Sequence, residues 1–284
     1  MDLFGNTHSH SLYIIGNGFD LAHSMKTSWQ DFHNWLKSNS HSSLITFCEN
    51  NFSLETDLWQ DFEKALGEYD LNSIFDYCTE DIEIDEEHMM RTNFIIEDSP
   101  DSLFVPHKDE LIQCFMEWIA NIEISDKPLN IEIPPEAKYL TFNYTKTLEK
   151  LYHIHPSQIL HIHGDVNNPI FGHNQLIKEY WNEHELLSEQ TAKQKIIAGM
   201  NELHKDVQGI IADNSGYFDS ISDIDEIIIR GISYGPIDLP YFKKIKDSVK
   251  PNCLWKLSWH SQKDRLATKA FTESLGIEAE LFQF

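Results

Sequence analysis

Asn143, His163 and a Gly-x-Gly turn at Gly16-Asn17-Gly18 are the residues whose type and setting could do chemistry in this chain. Each stands directly after an apolar run. Leu12-Tyr13-Ile14-Ile15 leads into the turn, Tyr139-Leu140-Thr141-Phe142 into Asn143, and Gln158 to Ile162 into His163-Gly164. A fourth run, Glu226-Ile227-Ile228-Ile229-Arg230, leads into Gly231-Ile232-Ser233. Short apolar runs read as buried strands of a parallel sheet. In open parallel sheets, ligands bind beyond the carboxyl ends of the strands. Glycine at 16 and 18 lets the backbone turn tightly with no Cβ in the way of a ligand. The helix start that follows, at Asp20, has free N–H groups that suit phosphate. The third small residue of the dinucleotide fingerprint is missing, because Leu21 stands in its place. Asn or His at a buried strand end needs partners, since an unpaired group costs about 1–3 kcal/mol. Four such ends together point to a ligand site.

The histidines open a rival chemistry. His153, His155, His161, His163 and His173 lie within a short span, and His161 and His163 share one strand face. Asp165 is the nearest carboxylate to complete a metal set. No His-x-x-x-His or Asp-x-His pattern does so, and we expect no metal.

The elements that would position these residues alternate strand and helix, which implies a parallel α/β sheet. Helices are expected over Trp29 to Leu36, Asp57 to Leu66, Lys108 to Ile122, Lys146 to Tyr152, Glu189 to Ile211, after Asp238, and over Ser261 to Leu275. Thr27 or Ser28, Thr145 and Asp238 are placed to cap helices, with Pro240 in the first turn after Asp238. Asp61 and Glu63 read as a solvated face. Residues 79–101 carry nine acids against Arg91; charge this dense resists packing, so a mobile loop or lid is expected. Cys253 to Trp259 is a further strand. The expected fold is a single domain over 1–284, a Rossmann-like parallel sheet with a mostly helical insertion at 28–125 after the first strand.

Composition narrows the function classes. Acids outnumber bases 46 to 22, for a net charge of −24, which argues against general nucleic-acid binding. Four cysteines with no Cys-x-x-Cys pair exclude a simple zinc ribbon and suggest reduced, mostly buried thiols. No run approaches the ~20 apolar residues of a membrane span. The N-terminal MDLFGNTHSH has neither the basic nor the apolar region of a signal peptide. A cytoplasmic location is expected.

The stretches IIGNGFDLAHSMKTSWQDF, LWQDFEKAL, LTFNYTKTLEKLY, HIHGD, IFGHN and GISYGPIDLPYF, in this order, closely resemble the bacterial abortive-infection AbiH family. The resemblance implies anti-phage defence, with a partner defence protein or a phage trigger, and leaves a homo-oligomer open. More distantly, the order Gly-x-Gly, Thr-x-Asn-Tyr, His-Gly, Gly-x-Ser is similar to sirtuin-like NAD-binding domains. That similarity implies NAD as substrate or ligand, with Asn143 and His163 acting on the ribose next to nicotinamide. The chain lacks the paired Cys-x-x-Cys module of the deacetylases, which favours simple NAD cleavage. We assign nucleotide binding to Gly16, Asn17, Gly18, Phe19, Asp20, Thr27, Gly231, Ser233 and Asp238. Three readings stay open: an NAD⁺ nucleosidase, a nucleotide-sensing module without turnover, and a metal-dependent nuclease or hydrolase.

Overall fold

The computed structural model describes residues 10–52, 57–177, 180–235 and 237–284. The reading of the N-terminal MDLFGNTHSH falls almost wholly outside them. No helix among the described residues is long and apolar enough to cross a membrane.

The described residues of 10–28, 119–170 and 206–284 form one compact unit, built on a six-stranded sheet. Its strands are β1 (Ser11–Ile15), β2 (Lys138–Thr141), β3 (Ile159–His161), β4 (Glu226–Arg230), β5 (Leu254–Trp259) and β6 (Ala279–Gln283). Their order is β3-β2-β1-β4-β5-β6, and every pairing is parallel. This is the Rossmann-like sheet anticipated from the alternation of elements. The strand order reverses between β1 and β4, which is where such sheets open a crevice. β1 is buried along its whole length. Its alternation sends Leu12 and Ile14 into one core with Leu140, Ile227, Ile229 and Phe242. Tyr13 and Ile15 enter the opposite core with Phe19, Tyr139, Leu148 and Ile228. Apolar packing on both faces explains why the sequence shows continuous apolar runs rather than alternation. The strand Ala279–Gln283 escapes sequence reading because it is a half-exposed edge of mixed polarity.

Residues 29–118 and 171–205 form the second unit. The first of these segments lies within the expected insertion at 28–125, and the second lies outside it. Helices Trp29–Ser38, Ser42–Asn51, Phe62–Gly67, Leu71–Thr79, Met89–Ala120 and Leu187–Glu202 build it. Its core is aromatic. Phe32 lies 5.1 Å from Trp118 and 6.0 Å from Phe62, and Phe115 stacks on Phe171 at 4.2 Å between ring centroids.

Three expectations change in this unit. The acidic stretch is not a loop throughout, since Met89–Ala120 is one helix carrying Pro100 and Pro106 inside it. Its charges are held off one another: Asp98 and Asp101 both reach Lys195, at 3.1 and 2.6 Å. The expected helix from Glu189 to Ile211 breaks into Leu187–Glu202 and Val207–Asp213. Lys205 N–H donates to His173 O between them, and the Asp206 carboxylate restarts the chain by accepting from Gly209 N–H. Glu63 is not on a solvated face: it pairs at 2.8 Å with Lys205, whose side chain is fully buried. Asp61 stays exposed, as expected, and caps the helix Phe62–Gly67 through Lys64 N–H.

Candidate functional site

The four residue groups singled out in the sequence lie at the carboxyl ends of four adjacent strands, β3, β2, β1 and β4. His163 and Asn143 each stand two residues beyond a register pair, His161 and Thr141. Gly16 and Gly231 each follow a register pair, Ile15 and Arg230, on either side of the switch point.

The glycines at this point pack against each other. A Cβ on Gly18 would lie 2.7 Å from Gly231 Cα, and a Cβ on Gly231 would lie 2.3 Å from Phe19 N. Gly231 also sits at φ +70°, where glycine is strongly favoured. Three N–H groups at the turn are spent within the chain. Gly16 donates to Arg230 O at 2.9 Å, Gly18 to Gly231 O at 2.8 Å, and Phe19 to Gly16 O at 2.9 Å. The Gly-x-Gly turn therefore ties β1 to the loop after β4.

Asn143 is buried and turns its amide toward this point. Its Nδ2 donates to Gly16 O at 3.1 Å, and its backbone N–H donates to Thr141 Oγ1. Its Oδ1 has no hydrogen-bond partner among the described residues. Asn17 is exposed, and its Nδ2 donates to Thr27 O at 2.8 Å. Thr27 is buried, and its Oγ1 is a second polar atom without a partner among the described residues. Native structures rarely leave such atoms unsatisfied, so each asks for a water or a ligand.

Asp20 and Phe19 turn inward instead. Asp20 is buried and accepts from Thr145 Oγ1 at 2.5 Å and Thr147 Oγ1 at 2.8 Å. Burial pushes its carboxyl above the usual range, and these hydroxyl bonds offset only part of that. Thr145 thus binds Asp20 rather than capping the helix Thr147–Tyr152, whose capping residue is Lys146. Phe19 is a core ring stacked on Phe284 and packed at a tilt against His23 and Tyr152. His23 Nδ1–H donates to Phe19 O, and Tyr152 O–H donates to His23 Nε2, each at 2.7 Å.

His163 is buried edge-on to Phe142 and Tyr241, at 5.1 and 5.5 Å between centroids. Its Nε2 faces Asp238 Oδ1 at 3.9 Å. Asp238 precedes the helix Leu239–Ser248, as expected, but makes no side-chain capping bond there. Ser233 is exposed, and Tyr234 beside it holds the loop by donating to Ser258 O.

Sequence reasoning missed two contacts here. His161 Nδ1 lies 3.0 Å from Asn143 O and its Nε2 3.0 Å from Glu149 Oε1, so this ring lies against the backbone of Asn143. The Thr-x-Thr pattern at 145 and 147 was the available signal for a buried acid opposite. Among the described residues, the histidine series and Asp165 form no group of three ligand atoms. Asp165 pairs with Lys146 at 2.7 Å, and His173 is bridged to His204.

Residues 12–259 match the family model described as bacteriophage abortive infection AbiH. The chain belongs to the AbiH family. Its role is therefore one in abortive infection, and the motifs described above are motifs of an AbiH protein. No curated protein matches the chain. Within this AbiH protein, the match runs from β1 to the end of β5 and so takes in every residue of the switch-point site.

Proposed function

We propose that this AbiH protein serves abortive infection by binding NAD⁺ at the β1–β4 switch point and hydrolysing it to nicotinamide and ADP-ribose. One observation chiefly supports the reading: the buried Asn143 Oδ1 lacks a partner among the described residues, beside the Gly turn, at the place where parallel sheets bind nucleotides. In this reaction the bond from ribose C1′ to the nicotinamide nitrogen breaks, and the nitrogen keeps the electron pair. Nicotinamide leaves neutral, so no general acid is required. Water oxygen bonds to C1′ and gives up a proton. Asn143 Oδ1 accepts a hydrogen bond from that water and orients it. His163 takes the proton, and Asp238, at 3.9 Å from Nε2, stabilises the imidazolium that forms. A phage product or partner defence protein would trigger the reaction.

A second reading is binding without turnover. The internal use of the Gly18 and Phe19 N–H groups and the deep burial of His163 favour it. Incubating the purified protein with NAD⁺ and separating the products by chromatography distinguishes the two. Release of nicotinamide and ADP-ribose that survives chelator supports hydrolysis. Tight NAD⁺ binding with no release supports sensing. Activity lost in chelator points to metal-dependent hydrolysis, and absence of both binding and release removes NAD⁺ from the site.

A further inference from the structure

In the helical unit, His41, Glu110 and Cys114 bring an imidazole, a carboxylate and a thiol together, with one ligand atom from each lying within 4.8 Å of the others. It is the one group of three or more such side chains among the described residues that could hold a metal. We propose that these three residues bind a single divalent ion of the zinc class.

The placement suits a metal site. Glu110 and Cys114 are one turn apart on the helix Met89–Ala120, so both side chains share a face. His41 is the residue that precedes the helix Ser42–Asn51. Its ring stacks on Trp35, 12° from parallel, which holds the imidazole in one orientation. Cys114 Sγ lies 3.6 Å from His41 Nδ1 and 3.6 Å from Nε2. Zinc bonds one ring nitrogen in the plane of the ring, so Sγ, equidistant from both, must swing toward that nitrogen to share the ion. Glu110 Oε1 is 2.7 Å from Nδ1, a hydrogen bond that must open by roughly half an ångström to admit an ion. The Glu110 side chain is 40% exposed and free to move by that much.

Donor chemistry selects the ion. A mixed sulfur, nitrogen and oxygen set favours zinc-class ions over magnesium or calcium, which take oxygen. Burial pushes the Cys114 thiol up to about 11, and Glu110 and Glu117 add to the shift. A cation reverses that penalty: the thiol proton leaves to solvent and the thiolate bonds the metal. His41 is 26% exposed, leaving a side open for a water as fourth ligand.

Cobalt(II) is the probe, titrated into the purified protein. The expected result is one equivalent per chain with a thiolate-to-cobalt charge-transfer band. Cys114→Ser should lose the band and Cys253→Ser should keep it. Glu110→Gln should weaken binding by about tenfold or more. Magnesium should not compete. Zinc should raise the melting temperature of the parent protein but not of Cys114→Ser. If buried Cys114→Ser fails to fold, Glu110→Gln decides, because its side chain is partly exposed. No charge-transfer band in the parent, a band that persists in folded Cys114→Ser, or unchanged cobalt affinity in folded Glu110→Gln each overturns the site.

Discussion

Gly18 and Gly231 meet backbone to backbone across the switch point: a Cβ on Gly18 would fall 2.7 Å from Gly231 Cα, and Gly18 N–H donates to Gly231 O at 2.8 Å. The contact locks the end of β1 to the loop after β4. Substitution at either glycine therefore strikes the fold before any ligand. Gly231→Ala combines a left-handed φ with a Cβ against Phe19 N and should cost about 2–5 kcal/mol. Gly18→Val should also destabilise the protein. Thermal melting measures both, and a melting temperature within a degree of the parent for Gly231→Ala would contradict this packing.

Asp20 gives a pH-dependent signature. Its folded pKa is raised above 3.8 by burial, so between those values the folded state holds a proton that the unfolded state has lost. The contribution of Asp20 to stability therefore falls as pH rises from about 4 through its folded pKa, then stays level. Asp20→Asn cannot lose that proton. The melting temperature of Asp20→Asn relative to parent should be more favourable at pH 7 than at pH 4. A difference that moves the other way would show that Asp20 is not penalised by burial.

Asn143 and His163, at neighbouring strand ends, should behave as a unit if both act on one ribose. His163→Ala and Asn143→Ala should each lower NAD⁺ turnover by about 10²–10⁴-fold. The double variant should be little worse, and NAD⁺ affinity should persist. Asp238→Asn should lower turnover less than loss of His163. Full turnover in a folded His163→Ala would remove it from catalysis, and a fall in melting temperature alone would mark it as a packing residue.

Lys205 and Glu63 make a buried pair at 2.8 Å in the helical unit. Breaking it from one side strands the other charge, so Lys205→Met should cost about 3–5 kcal/mol. Replacing both, as Lys205→Met with Glu63→Leu, should recover part of that loss. Denaturant unfolding of the single and double variants tests it. Strict additivity of the two losses would mean the pair is not coupled.

The parallel sheet was legible because its central strands are buried on both faces, so Leu12 to Ile15 and Ile227 to Ile229 show as unbroken apolar runs. The residues following them were legible as a set for the same reason: a glycine, Asn or His after a buried strand stands out. The family was legible in the order of six motifs, and the match over residues 12–259 bears it out. Helix breaks were harder. Nothing local between Met200 and Val207 predicts a break, since it depends on the distant His173 exchanging backbone bonds with Leu203 and Lys205.

The sequence by itself determined the sheet, its polar strand ends and the family, because burial periodicity and residue order are properties of the chain read linearly. Tertiary structure alone decided how the site residues are used. It set Gly18 against Gly231, drew Asp20 inward onto Thr145 and Thr147, and turned Asp238 from its helix to His163. It also joined His41 to Glu110 and Cys114. Each is a contact between segments far apart in the chain, and the hydrogen-bond partner of a side chain is fixed only when packing brings the second segment within about 3 Å.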